Sequence, residues 1–259
     1  MNKLWRGLIT VGGLIALWAL IVWITDLPKF ILPNPLQVAE KLILRYDIIA
    51  SNAVTTGTEI LLGLFFGVAL GVISALAISL HRGVRQWVLP VLIASQAVPV
   101  FAIAPLLVLW FDYGITSKVV MSVLIIYFPV TVNFLDGLNR TPTGWRDLAR
   151  VLQARAPTST PIRLYRLYRY IKIPFALPAL ASGIRVAAAV APIGAVVGEW
   201  VGSSSGLGYL MLHANGRMQT DLLFAALLTL TLMAISLYYL IDYLLKIALK
   251  WQPDQESPA

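Results

Sequence analysis

Long apolar runs separated by short polar stretches make up most of the chain. Six runs reach the length of about 20 residues that a helix needs to cross a bilayer. The pattern therefore predicts an all-α membrane protein with six transmembrane helices in one domain of residues 1–259. The predicted spans are about 8–25, 56–80, 87–111, 118–138, 176–201 and 221–249.

Glycine and proline add detail to the second and third runs. Three glycines recur every fourth residue from Gly63 to Gly71, which favours close packing of the second span against another helix. Three prolines between Pro90 and Pro105 remove backbone hydrogen bonds from the third span. They predict either a bent helix that lines a pathway or simple packing kinks.

The longest polar connection, residues 139–175, sets the orientation. Between Arg140 and Lys172 it holds eight Lys/Arg residues and one acid, Asp147. Loops rich in cations stay on the cytoplasmic side of a membrane. With six spans, this loop places the N-terminus and the C-terminus in the cytoplasm as well.

The composition indicates that most of the chain lies within a lipid bilayer. Charged residues make up 12% of the chain, against roughly 25% in soluble domains. The net charge of +8 suggests nucleic-acid binding, but the cations lie in short loops beside the spans, where topology explains them. The chain has no cysteine, which excludes disulfides, thiolate metal sites and cysteine nucleophiles.

Motifs for catalysis and nucleotide binding are absent from the sequence. There is no GxxxxGK[ST] phosphate-binding loop, and His81 and His213 have no ligand spacing around them. No HExxH or paired-carboxylate arrangement occurs. The sequence predicts no catalytic residue, no metal site and no enzyme.

A few polar residues at membrane depth are the candidates for a translocation pathway: Gln96, Asn133, Asp136, Arg185 and Glu199. A charged group in the middle of a span costs about 2.5–3.5 kcal/mol and usually faces a bundle interior or a cavity. Structural alternatives stay open for three of them. Arg185 can extend to the headgroups, Asp136 can stabilise a helix end, and Glu199 can hold the glycine-rich loop that follows it.

That loop, in the stretch EWVGSSSGLGYL, is the candidate gate. Gly206 and Gly208 release the chain from helical geometry, and apolar residues follow at once. We expect a re-entrant turn near the pathway with Glu199 at its base. The alternative is an ordinary loop.

Several stretches resemble the permeases of binding-protein-dependent ABC importers, over nearly the whole chain. They are LPNPLQV, VPVFAIAPLLVLWFDYG, FPVTVNFLDGL and GEWVGSSSGLGYLM. They are similar to the nitrate/sulfonate/taurine branch, and AVAPIGAVVGEWVGSSSGLGYLMLHANGRMQTDL is similar to its thiamine-precursor (hydroxymethylpyrimidine) type. The resemblance implies a type I importer permease fold.

The resemblance also implies a helix at about 147–156 that couples to an ATPase. Asp147, Leu148 and Ala149 stand where the family has Glu-Ala-Ala, and Gln153 stands where it has glycine. The spacing to the closing Ile-Pro step is about eight residues longer than in the family. The implied coupling residues are Asp147, Ala149, Arg150, Gln153 and Ala154, with Asp147 expected to cap the helix.

The partners follow from the same resemblance. They are a second permease copy in a homodimer, two ATPase subunits, a soluble or lipid-anchored binding protein, and the bilayer of the bacterial inner membrane. ATP and Mg belong to the ATPase, so no cofactor is expected on this chain. The implied solute is a pyrimidine or thiamine precursor, or a sulfonate, nitrate or taurine. The alternatives are an ion-coupled secondary transporter, which should show inverted repeats, and a membrane-embedded enzyme.

Overall fold

The computed structural model of the chain describes residues 3–154 and 160–251. Every regular element in those ranges is helical. In chain order the helices are α1 (Lys3–Thr25), α2 (Pro35–Leu44), α3 (Tyr46–Leu80), α4 (Arg82–Ser95), α5 (Val100–Phe111), α6 (Ile115–Asn139), α7 (Thr143–Ala154), α8 (Thr160–Leu167), a π-helical turn (Tyr168–Lys172), α9 (Ile173–Gly202), α10 (Leu207–Gly216) and α11 (Thr220–Ala248).

The all-helical fold is confirmed, with five or six candidate spans. Helices α1, α3, α6, α9 and α11 are each long and apolar enough to cross a bilayer. The pair α4 and α5, two helices that meet at an angle of 103°, forms either a sixth, broken span or a re-entrant loop. The count of six spans therefore stays a prediction that depends on this pair.

The third predicted span, 87–111, consists of two helices with a sharp break between them, a larger distortion than the predicted bend or kinks. Helix α4 ends at Ser95, and α5 begins at Val100 directly after Pro99. Proline has no N–H to donate and pushes the residue before it out of the helical region. Pro90 and Pro105, in contrast, lie inside α4 and α5.

Helix α6 lies at the centre of the bundle, between α3 and α9. A Cβ added at Gly67 of α3 would lie 2.6 Å from Ile126 Cγ2, and one at Gly194 of α9 would lie 2.7 Å from the Cα of Ser122. Glycines on both neighbours thus let the three backbones approach closely, as the glycine spacing of the second run predicts.

The long polar connection between α6 and α9 contains two helices and a π turn. Helix α7 is followed by α8, which continues through the turn at Tyr168–Lys172 into α9. The predicted coupling residues therefore lie on α7. However, α7 begins at Thr143, so Asp147 is in its interior, and the expectation that Asp147 caps the helix is wrong.

Candidate functional site

Glu199, near the end of α9, holds the glycine-rich turn that follows it. Its Oε1 accepts a hydrogen bond of 2.6 Å from the Thr56 hydroxyl of α3. Its Oε2 accepts from the N–H of Gly208 and, at 3.3 Å, from the N–H of Tyr209. These two N–H groups belong to the first turn of α10, where no helical carbonyl is available and a negative charge is favoured. Glu199 therefore anchors the start of α10.

Helix α3 holds the same turn from the other side. The Asn52 Oδ1 accepts from the N–H of Gly206 at 2.7 Å, and the Thr56 Oγ1 accepts from the N–H of Leu207 at 2.8 Å. Thr56 and Glu199 are both buried, with exposed fractions of 0% and 1%. The segment 203–208 is thereby tied to α3 and to α9 at once.

Only glycine fits at the two positions nearest the carboxylate. Gly206 has a φ of +113°, which side chains rarely adopt, and an added Cβ would collide with the Glu199 carboxylate. A Cβ at Gly208 would lie 2.7 Å from Glu199 Oε2 and 3.1 Å from the Cα of Val196. The glycines therefore let the backbone close over the buried acid.

The apolar residues after the turn are in the core. Leu207, Leu210 and Met211 of α10 are buried in a cluster that also contains residues of α2, α3 and α11. The segment thus folds back onto the bundle instead of remaining an exposed connector. Its role as a gate stays a prediction.

A buried ion pair lies beside this site, and the sequence analysis did not single it out. Lys118 of α6 has its Nζ 3.1 Å from Glu59 Oε1 of α3, and both side chains are almost fully buried. The carboxyl group of Glu59 also neighbours that of Glu199. Glu59 is an acid within a predicted span, so the criterion that selected Glu199 applies to it equally.

Arg185 points to a different neighbour. Its Nε donates to Asp242 Oδ1 of α11 at 2.7 Å, and Lys246 Nζ lies 2.8 Å from Asp242 Oδ2. Arg185 therefore pairs with an acid on another span, which the sequence analysis did not identify. Arg185 and Glu199 contact different helices, so the structure does not bring them into one site.

The remaining pathway candidates lie elsewhere. Asn133 donates from Nδ2 to the Pro129 carbonyl of its own helix at 2.8 Å. Asp136 is exposed and pairs with Arg140 at 2.7 Å, one turn further along the chain. Gln96 is exposed at the end of α4, where the third span breaks. A role of these three residues in the pathway stays a prediction.

Helix α7 presents apolar side chains to its surroundings. Trp145, Leu148 and Val151 have exposed fractions of 55%, 48% and 64%. At about 100° per residue they lie within about 120° of the helix circumference. Asp147 is exposed on the same helix. Ala149, Arg150, Gln153 and Ala154 also belong to α7, but their side chains lie outside the described part.

No metal site is evident in the described part of the chain. Within residues 3–154 and 160–251, no three His, Asp or Glu side chains come together in a way that would hold a metal ion.

Comparison with known proteins gives consistent matches. The family described as binding-protein-dependent transport system inner membrane component matches residues 67–251. A probable ABC transporter permease protein of Haemophilus influenzae is 51% identical over 243 residues, which cover 94% of this chain and 96% of the relative. The formylaminopyrimidine transport permease protein ThiX of Halalkalibacterium halodurans is 36% identical, with 87% and 88% covered. The riboflavin transport system permease protein RibX of Chloroflexus aurantiacus is 35% identical, with 94% and 89% covered.

Proposed function

The chain belongs to the family of binding-protein-dependent transport system inner membrane components, and from this premise we propose how it works. It is the permease component of an ABC importer for small solutes, a transport subunit and not an enzyme. In our proposal two copies of the chain enclose the pathway. Two ATPase subunits bind on the cytoplasmic side, and a soluble or lipid-anchored binding protein delivers the solute from outside.

The apolar stripe of α7 is the observation that carries this proposal. Trp145, Leu148 and Val151 lie on one side of a helix in the predicted cytoplasmic segment, and about half or more of each side chain is exposed. An amphipathic helix with an unburied apolar side is suited to a groove on a partner protein. The ATPase is that partner in the proposal, and it holds the ATP and Mg because this chain has no phosphate-binding loop.

The broken third span supports a second copy of the chain. Residues 95–99 are all exposed at the break between α4 and α5. Irregular backbone at membrane depth is tolerated only where protein or a water-filled cavity surrounds it. We propose that the second permease copy and the pathway cover this break, which would place Gln96 beside the pathway.

The turn held by Glu199 is the proposed external gate. Its backbone is tied by hydrogen bonds to Asn52 and Thr56 of α3 and to Glu199 of α9. Movement of α9 against α3 would strain or release these bonds. Gly206 and Gly208 allow the turn to close over the carboxylate. ATP-driven closure of the ATPase dimer would supply the force.

For the solute we propose a compound with a pyrimidine ring, such as a thiamine precursor. Two relatives at 36% and 35% identity are named for a formylaminopyrimidine and for riboflavin, whereas the relatives named for aliphatic sulfonates or taurine are 26–28% identical. Both molecules contain a pyrimidine ring, alone or fused. A sulfonate, nitrate or taurine is the alternative within the same branch, and the binding protein would set the choice.

Reconstitution tests the proposal. The chain is co-expressed with its cognate ATPase and binding protein, and the complex is inserted into proteoliposomes. We expect ATP-dependent uptake of a radiolabelled aminopyrimidine that excess unlabelled taurine does not reduce, and a complex mass that contains two permease chains. Uptake without ATP would favour a secondary transporter. Competition by taurine would contradict the pyrimidine assignment.

A further inference from the structure

The π turn Tyr168–Lys172 is the joint between the cytoplasmic segment and the bundle. The N–H of Ile173 donates to the Tyr168 carbonyl, five residues back. Pro174 has no N–H, so the carbonyl four residues before it, that of Tyr170, loses its usual α-helical partner. A wider turn at this point is a physical consequence of that proline. Such π turns within helices occur frequently at functional sites.

Tyr168 fixes this turn to the bundle. Of the described side chains between residues 143 and 172, only that of Tyr168 is buried, with an exposed fraction of 7%. Its ring packs in a cluster of buried residues from α3, α6 and α9: Ala75, Ile78, Phe134, Leu135, Leu138 and Ala176. The Tyr168 ring is therefore the buried contact through which the cytoplasmic segment is held against α3 and α6.

The Tyr168 hydroxyl also completes the end of α3. It donates to the Ser79 carbonyl at 2.8 Å, and its oxygen lies 2.8 Å from Ser79 Oγ. The last four carbonyls of a helix have no partner within the helix, and that of Ser79 is one of them because α3 ends at Leu80. The tyrosine has one proton, so the serine hydroxyl donates the second bond. Lys172 donates to the same oxygen at 3.3 Å, and its Nζ lies 4.5 Å from the ring centroid.

Helices α3 and α9 are thus connected at both ends. On one side, Tyr168 binds the end of α3 and leads directly into α9. On the other side, Thr56 of α3 binds Glu199 of α9 and the start of α10. Thr56 and Ser79 are 23 residues apart on α3, about 34 Å along its axis. One helix, α3, therefore connects the contact at the tyrosine with the turn held by Glu199.

We propose that Tyr168 is the positioning residue through which movement of the cytoplasmic segment reaches α3 and the turn at 203–208. This rests on the proposed function, since the movement comes from the ATPase. The ring holds the joint in the bundle, and the hydroxyl makes α3 move with it. Loss of the hydroxyl leaves α7 and α8 attached to α9 but releases the end of α3.

The experiment replaces Tyr168→Phe in the reconstituted complex and uses Tyr170→Phe as the matched control. Tyr170 lies two residues further on, and 69% of its side chain is exposed. The readout is the amount of solute taken up per ATP hydrolysed. We expect this ratio to fall about fivefold in Tyr168→Phe, the factor that one hydrogen bond supplies, with ATP hydrolysis retained. Ser79→Ala leaves the Ser79 carbonyl in place and should give a smaller fall.

The ratio separates a positioning role from a merely structural one. A variant that only folded less well would lower uptake and hydrolysis together and leave the ratio unchanged. Equal ratios for Tyr168→Phe and Tyr170→Phe would overturn the proposal, and so would failure of Tyr168→Phe alone to assemble with the ATPase. Absence of ATP-dependent uptake in the unaltered complex would instead refute the proposed function itself.

Discussion

The hydroxyl of Thr56 joins three segments of the chain. It donates to Glu199 at the end of α9, and it accepts from the N–H of Leu207 at the start of α10. All three residues are buried. Without this hydroxyl, Glu199 Oε1 and the N–H of Leu207 would each lose a hydrogen-bond partner at a buried position. Each such unsatisfied buried group costs about 1–3 kcal/mol.

We predict that Thr56→Val loosens the external turn. Valine keeps the shape of threonine, so the main change is the loss of the hydroxyl's hydrogen bonds to Glu199 and Leu207 and of its 3.2 Å contact with the Asn52 carbonyl of its own helix. In a Ser204→Cys background, the thiol should react faster with an impermeant maleimide, and the purified complex should melt at a lower temperature. Ser204 is exposed, and the chain has no cysteine of its own.

Thr58→Val is the control on the same helix. The Thr58 hydroxyl is exposed and bonds only within α3, to the Thr55 carbonyl. It should leave the labelling rate unchanged. If Thr56→Val labels at the rate of Thr58→Val in every nucleotide state, the turn is not held by Thr56 and the gate proposal loses its basis.

For single residues, the sequence identifies polar side chains inside the membrane better than it identifies their hydrogen-bond and ion-pair partners. Glu199 stands out because it is an acid near the end of an apolar run. Its contacts with Thr56 and Gly208 depend on how α3, α9 and α10 pack, which a single apolar pattern does not contain. Lys118 illustrates the limit most clearly. At the border of a predicted span it looks like a cation outside the membrane, yet it is buried against Glu59.

Among the helices, α7 and the pair α4 and α5 tell most about function, because packing within the bundle does not explain their exposed residues. Helix α7 is strongly amphipathic, but Trp145 and Leu148 remain exposed. The family pattern locates this helix correctly in the sequence. It misplaces the start, because Thr143 begins the helix and not Asp147. The prolines of the third span predict bending but not where it occurs. Of the three, only Pro99 lies at the break.

We predict that Leu148→Glu prevents docking of the ATPase. A carboxylate in the middle of the apolar stripe would have to be buried in the partner's groove, at a cost of several kcal/mol per unpaired charge. The measurement is co-purification of the ATPase with the tagged permease, together with ATP hydrolysis stimulated by the loaded binding protein. Both should fall at least about tenfold.

Thr143→Glu introduces the same charge at an exposed position of the same helix. Thr143 is about 140° away from Leu148 around the helix axis, so its side chain lies off the stripe. This variant should bind the ATPase normally. Normal binding by Leu148→Glu as well would place the contact elsewhere in the cytoplasmic segment.

For the whole molecule, we propose one orientation from the charge distribution. The segment between Arg140 and Lys172 carries eight cations and the exposed helix α7, which predicts that it lies on the cytoplasmic side, where the ATPase of our proposal binds. The turn held by Glu199 lies at the opposite end of α9. Helices α2 and α10 then share the external side, where they pack in one cluster with the start of α11.

The orientation can be tested directly because the chain contains no cysteine. Single cysteines at Ala39, Gly144 and Ser204 are all at exposed positions, and a side chain at Gly144 meets no atom within 4 Å. In intact cells treated so that the maleimide reaches the external face of the inner membrane, this impermeant reagent should label Ala39→Cys and Ser204→Cys but not Gly144→Cys. In inside-out vesicles the pattern should reverse, because six spans put both termini and residue 144 on the same side. Labelling of Gly144→Cys from outside would invert the topology, remove α7 from the reach of any cytoplasmic ATPase and contradict the coupling proposal with it.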